Sequence, residues 1–572
     1  MGGAPSLPAA DGVLRSAAVN ALRLVLHASL AGLYGASIVV LVLALVNPGL
    51  AEAGAGTIVT LLPVLAVYTL AAGLIWPLLY GAVRFFARHA LRVPRLSLRY
   101  LMAFHVANAA IVLGAAWATL SGSRRVLGPL GTERLAFCCY VLSAAWLCAA
   151  VVTLVPFLRR LVPLQIAAAC LALLALGVVL PLAARRRSAA PPPPRPRPAL
   201  PSPARRLILL NFDGGDLDDI LTLQAHGKLP AFMRLREEGA YGRLGTLTPC
   251  EAPVTRSTLV TGRGPFRHGV RGALARRIFG RGPEIDVVPT GLGLDLLLGP
   301  VMRVRPLSVR DRTGPALWEI AAEAGGVAVE AGFEVDLDRD ARDGVARPAG
   351  EDRGILADFL DPEALRKAEP AAQSPIGDLL LAVEGDRAVE EVLDRLGRDR
   401  RPGVVALSFP GLDRVAHVFL RYARPEEFGN VTEREIELYG PVLERYYRRI
   451  DLVVARVLEA EGEGACLMVT SSHGIDAVPL GRRLLAMAAG GEARSGTHED
   501  GPDGFLFVRA PGVRPGPIEG KGAIVDVVPT ALYALGLPIA RDLDGAILTA
   551  VFTPRYTLEH PVAVIGTYEP GR

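Results

Sequence analysis

The sequence predicts a layered α/β domain, with a central, largely parallel sheet flanked by helices, preceded by about five transmembrane helices. Three observations lead there. Charge is divided along the chain: residues 1–200 hold 17 arginines, no lysine and only three acidic residues (Asp11, Glu52, Glu133), while the rest holds 45 basic and 54 acidic groups. Long apolar runs crowd that first part. From residue 205 onward, short β-rich runs alternate with helical stretches, the pattern of strands joined by helices.

The apolar runs cover roughly residues 24–46, 57–81, 101–120, 135–157 and 161–184. Each reaches the ~20 residues a helix needs to cross a hydrocarbon core. They are nearly uncharged and weakly amphipathic, unlike buried helices of a soluble protein. Five in succession also exclude a cleaved signal peptide. Arg84, Arg88, Arg92, Arg95 and Arg99 crowd the second connection, whereas the first, 47–56, has no basic residue. By the positive-inside rule the N-terminus is then cytoplasmic. Summed over all connections, that arrangement leaves nine arginines inside and eight outside, because Arg185–Arg187, Arg195 and Arg197 follow the last span. Five spans place the two ends on opposite sides, so a multi-pass protein of the cell membrane with an extracytoplasmic C-terminal domain is expected.

The expected organisation is a membrane domain over 1–188, a Pro/Arg-rich linker over 189–204, an α/β domain over 205–555 and a tail over 556–572, with about 275–400 forming part of a cap. Pro191–Pro194 with Pro196, Pro198, Pro201 and Pro203 makes a stiff, extended spacer. Its arginines either rest on anionic headgroups or are merely solvated. Four of six cysteines fall in the spans, leaving Cys250 and Cys466, which is no disulfide framework.

Within the α/β domain, Leu207–Phe212 reads as an apolar strand ending at Asp213-Gly214-Gly215. Sheets of this kind hold ligands at the carboxyl ends of their strands, so Asp213 is either placed for function or a turn residue. Val404–Phe409 is a second strand, followed by Asp413 and His417. Four residues apart, these two share a helical face and suit one metal, although a helix-capping Asp beside an unrelated His is the plainer reading. Ala465–Thr470 is a third strand, leading into Ser471, Ser472 and His473. His498 precedes another, Phe505–Arg509. A mixed His/Asp set after strands suits a divalent ion such as zinc.

These residues, in this order, resemble the alkaline phosphatase superfamily, and within it the type I phosphodiesterase/nucleotide pyrophosphatase branch. The resemblance spans about 205–552. It is carried by Leu209–Gly215, Gly227–Pro230, Leu235–Gly239, Ser257–Arg263 with His268-Gly269, Ala316–Trp318, Leu412–His417, Ser471–Gly474, Gly496–His498, Asp526–Thr530 and Leu535–Pro538. It implies an alkaline-phosphatase-like fold and two metals clamping a phosphoryl group. One metal would use Asp413, His417 and His498. The other would use Asp213, His473, a carboxylate at 472 and a nucleophilic Thr or Ser.

This chain departs from that pattern twice. Ser472 stands where the carboxylate belongs, and ungapped matching back from Thr261-Gly262 puts Ala252 where the nucleophile belongs. One site is therefore intact and the second in doubt. Thr255 could replace the nucleophile after a one-turn irregularity, Asp476 could replace the carboxylate, or water on a single metal could attack directly. Arg256 beside the nucleophile loop would hold a phosphate, or else sit on the surface without a partner.

The expected function is a membrane-anchored, metal-dependent phosphoester hydrolase, of phosphodiesterase or phosphatase type, or a phospho-group transferase. It would act on a phosphorylated small molecule or lipid head group. The alternative is a pseudoenzyme of the same fold that binds or scaffolds. Nucleic acid is disfavoured as a partner, because the part beyond residue 200 is net acidic and lacks a basic, aromatic-interleaved stripe. No acidic residue interrupts the apolar runs, so a proton- or cation-coupled relay through them lacks its usual groups.

Overall fold

In the computed structural model, the described residues are 10–47, 49–52, 55–86, 98–154, 200–201, 205–288, 293–334, 356–363, 374–396, 402–429, 431–462, 464–488 and 494–569. Two compact units emerge: residues 1–190 with 274–306, and residues 191–273 with 307–572.

The first unit is built on α1 (Ala10–Val46), α2 (Ala55–Phe86) and α3 (Leu98–Leu154). Three stretches are long and apolar enough to cross a membrane: Val19–Val46, Gly56–Val83 and Val106–Arg124. They coincide with the first three expected spans. α3 is interrupted at Gly128, whose φ of 70° breaks the helix between the third span and the stretch beginning at 135. The fourth expected span is helical through Leu154, and the fifth, 161–184, lies outside the described residues. On α2, Leu62, Leu70, Leu74, Leu78 and Leu79 are exposed, as lipid-facing side chains are.

This unit also claims the antiparallel pair β3 (Leu274–Ile278) and β4 (Met302–Pro306). Asn47, fully buried at the end of α1, donates to Val287 O (2.8 Å) and accepts from the Asp286 and Val287 amides. Ile278, Ile285, Leu294 and Leu298 pack with Val39, Leu43, Leu50 and Leu61.

The second unit is a sandwich of helices around one eight-stranded sheet, the fold class expected. Besides β1 (Leu207–Phe212) and β2 (Ala240–Gly245), it holds β5 (Ala328–Ala331), β6 (Val404–Phe409), β7 (Cys466–Ser471), β10 (Gly504–Arg509), β11 (Gly516–Pro517) and β12 (Gly522–Ala523). The strand order is β11-β2-β10-β7-β1-β6-β5, with β12 on β2. β5, β6, β1 and β7 run parallel, while β10 is antiparallel to both its neighbours.

Both faces of the central strands are buried, which is why they read as continuous apolar runs. Ile208, Leu210 and Phe212 face one core with Phe409, Phe505 and Phe507; Leu207 and Leu209 face the other with Ala406, Met468 and Leu506. Each such aliphatic or aromatic side chain contributes about 2 kcal/mol of burial. The helices that cover the sheet or position the site are α4 (Pro230–Glu238), α5 (Ala252–Thr261), α6 (Pro375–Leu396), α7 (Gly411–Ala423), α8 (Pro441–Ala460) and α9 (Val527–Leu535). Residues 275–400 are thus shared out: 274–306 go with the first unit, while β5 and α6 belong to the sheet and its cover. Residues beyond 555 also take part in this unit, since Tyr568 is buried and Val564–Ile565 pairs with Ile539–Ala540.

Parallel register aligns the strand ends. Phe212 pairs with Phe409, and Asn211 with Thr470. The residues that follow β1, β6 and β7 therefore emerge side by side. A short ladder of β8 (Asp476–Ala477) with β9 (Gly496–Thr497) returns the chain, so that His498 comes back beside His473.

Candidate metal centre

Seven side chains singled out from sequence converge at these strand ends. Asp413, in the first turn of α7, lies 3.6 Å from His417 Nε2 and 4.0 Å from His498 Nε2 through its Oδ1. The three residues offer ligand atoms that all lie within 4.8 Å of one another. The His473 and His498 rings are 4.5 Å apart, and those of His417 and His498 5.0 Å. Gly214, at φ 77°, lets the turn after β1 pass α7: a Cβ there would stand 2.6 Å from the Asp413 Cα.

The histidines are all oriented the same way. His417 Nδ1 donates to Gly496 O (2.7 Å), His473 Nδ1 to Gly474 O (3.0 Å) and His498 Nδ1 to Cys250 O (2.9 Å). A carbonyl only accepts, so each Nδ1 carries the proton and each Nε2 presents a lone pair, as a metal-ligating imidazole does. His473 Nε2 and Asp413 Oδ1 are buried with no hydrogen-bond partner among the described residues. A buried acceptor without a donor is costly, and two in one cluster fit a cation.

The electrostatics agree. Burial pushes the Asp413 carboxyl up, but His417, His498 and His473 outweigh it and hold the group below its usual range. Burial lowers His417 against the pull of Asp413, and burial with the neighbouring His498 lowers His473. Neutral imidazoles beside an ionised carboxylate are the protonation states a metal needs.

Asp213 is different. Its Oδ1 accepts from Asn211 Nδ2 (2.9 Å) and Ser472 Oγ (2.7 Å), and its Oδ2 accepts from Arg256 Nε (2.5 Å). Burial alone would raise its pKa; Arg256, His473 and the donated hydrogen bonds overcome that and hold it far below the ordinary carboxylate range. Arg256 is thus paired inside the site and is not a lone surface arginine.

Around them, Ala252 occupies the first position of α5, with Glu251 as its cap residue. Thr255, one turn on and fully buried, bonds back to Glu251 O (3.3 Å) and Ala252 O (3.2 Å) and lies 3.5 Å from Ser472 Oγ. Asp476 is exposed on β8. Cys250 is buried, and its thiol is raised by burial and by Asp413. His268 is held between Thr258 Oγ (2.9 Å) and the Val270 amide, and burial lowers it to about 3, which suits a packing role.

Sequence reasoning missed two supports. Asn211 braces Asp213 and also reaches Ser408 Oγ (3.0 Å); an Asn inside an otherwise apolar strand was the available signal. Asp386, on α6, accepts from the Gly411 amide (3.0 Å) and from Tyr446 Oη (2.8 Å), tying down the start of the helix that bears Asp413. Its helix reads as amphipathic and gave no such hint.

The parallel strand ends of this sheet thus gather His and Asp side chains in an arrangement that could hold a metal ion. Residues 207–490 match the family model described as Type I phosphodiesterase / nucleotide pyrophosphatase. No curated protein sequence matches the chain. Among solved structures it is similar to wild-type alkaline phosphatase PafA (12% identity over 64% of this chain and 100% of that one, TM-score 0.37). It is also similar to murine ectonucleotide pyrophosphatase/phosphodiesterase 5, an inactive variant in complex with AMP (12% identity, 61% and 100%, TM-score 0.36). A third is the phosphonate monoester hydrolase of Silicibacter pomeroyi (14% identity, 61% and 76%, TM-score 0.35).

Proposed function

We propose that this protein is a membrane-anchored, metal-dependent phosphoester hydrolase, with one divalent ion, zinc by its donor set, held by Asp413, His417 and His498. The observation that carries this reading is the buried Asp413 Oδ1, which lacks a hydrogen-bond donor while two imidazole Nε2 atoms face it. Bound there, such an ion supplies Lewis-acid polarisation of a phosphoryl oxygen. The chain's own residues do the rest. The backbone carbonyls fix the imidazole tautomers, Asp386 steadies the helix start, and the Arg256–Asp213 pair lines the neighbouring wall.

With alanine at 252, direct attack by water replaces a covalent phospho-enzyme. Thr255, whose hydroxyl is engaged with its own helix, acts in support of Ser472. The substrate class is a phosphodiester or phosphoanhydride of a small molecule or lipid head group. A phospho-group transferase is the lesser variant of the same chemistry.

Orientation has support within the first unit. The segment Leu274–Pro306 packs around Asn47 at the end of α1, beside the connection 47–56, which carries no basic residue. That side is extracytoplasmic by the positive-inside rule.

Full-length protein in detergent, assayed with an aryl phosphodiester and added zinc or manganese, tests the reading. Turnover abolished by His498→Ala supports it; no turnover above buffer with either metal sinks it. Ala252 and Ser472 favour a second reading, a protein of this fold that binds phosphorylated ligands. Binding of the diester without hydrolysis would select that one.

A further inference from the structure

We propose that this centre is built for a single divalent ion, and that the Arg256 guanidinium fills the cationic position beside Asp213 that a second ion would otherwise take. The inference deepens the metal reading above and rests on it.

The residues of the second position do not fit an ion. Both oxygens of Asp213 are engaged, by Asn211 and Ser472 on one side and by Arg256 Nε at 2.5 Å on the other. The Arg256 and Asp213 side chains are 16% and 1% exposed, so the pair is held largely out of water, where like charges are poorly screened. A dication on Asp213 would have to displace the guanidinium or stand against it. Ser472, where a carboxylate would bring negative charge, is a neutral hydroxyl that donates its proton to Asp213. Ala252 offers no side-chain oxygen, and Thr255 Oγ is engaged with the carbonyls of Glu251 and Ala252.

The contrast within one cluster is the argument. Among the described residues Asp413 Oδ1 is left without a hydrogen-bond partner while both oxygens of Asp213 have one; His473, the remaining ligand type of the second position, also has an unpartnered Nε2, and its ring lies 4.5 Å from that of His498. Two carboxylates, one guanidinium and one dication sum to a single positive charge, whereas a second dication beside the guanidinium would raise the excess to three. Arg256 is therefore a positioning and charge-balancing residue. It keeps Asp213 ionised and keeps the second position closed to metal.

Elemental analysis and titration calorimetry of the full-length protein in detergent, with zinc alone, give the test. One ion per chain is expected for the wild type. Arg256→Ala combined with Ser472→Asp is expected to bind two, while Arg256→Lys with Ser472→Asp stays at one because the cation is retained. Two ions in the wild type would overturn the proposal but leave the metal-dependent reading standing. No ion in the wild type would overturn both. If the alanine double variant remains at one while still holding its first ion, Arg256 does not close the site and the proposal fails. If that variant does not fold, the wild-type count still decides.

Discussion

Asp213 directly follows β1 and Asp413 lies in the first turn of the helix after β6, the parallel neighbour of β1, yet the chain treats them in opposite ways. Asp213 receives three donated hydrogen bonds, one from a guanidinium. Asp413 is surrounded by imidazole nitrogens that present lone pairs, and its Oδ1 has no donor. Folding ordinarily supplies a partner to a buried oxygen, so of these two carboxylates the one left open, facing imidazole lone pairs, is the one that suits a cation brought from outside. A satisfied carboxylate is a structural counter-ion; an unsatisfied one is a ligand in waiting.

The comparison breaks most visibly at the imidazoles. His498→Ala should reduce phosphodiester hydrolysis by at least about 100-fold, the several kcal/mol that metal polarisation contributes. Loss of zinc from the same sample should accompany it. On the other carboxylate the effect should fall on stability: Asp213→Asn strands the Arg256 charge and should cost about 3 kcal/mol in denaturant unfolding of the α/β domain.

The pH dependence separates the acids further. Burial is the largest influence on Asp386 and raises it from 3.8 to about 7. The folded state then binds more protons than the unfolded state across that window, so stability falls as pH rises from about 4 to about 7, by up to ~1.4 kcal/mol per pH unit. Asp213 has the opposite sign: its folded pKa is depressed, so its contribution is present above the unfolded value and is lost as pH falls below about 4. Asp386→Asn should flatten the upper slope in denaturant midpoints measured from pH 4 to 7 and leave the acid limb unchanged. The smallest effect belongs to Thr255→Ala, which should alter turnover less than about tenfold under direct attack by water. Abolished turnover, with zinc still bound, would make Thr255 the nucleophile.

Much of this was legible in the sequence for physical reasons. Strands buried on both faces must be apolar throughout, so β1, β6 and β7 were visible to within a residue, and the groups following them had to meet at one edge of the sheet. The partners were not legible. The carbonyls of Gly496, Gly474 and Cys250 orient the histidines, and a backbone acceptor leaves no residue-type signature. The Arg256–Asp213 pair joins groups 43 positions apart. The segment from Leu274 reads as part of a cap, and its place with the apolar helices rests on Asn47 and on the packing of Ile278, Ile285, Leu294 and Leu298, contacts between positions far apart in the chain.

The central claim is that the two carboxylates divide the work. Its most direct test is the zinc content of full-length Asp413→Asn and Asp213→Asn measured side by side. The account predicts that the first loses its ion and the second keeps one per chain. Loss of zinc from Asp213→Asn with retention in Asp413→Asn, or equal loss from both, would contradict it.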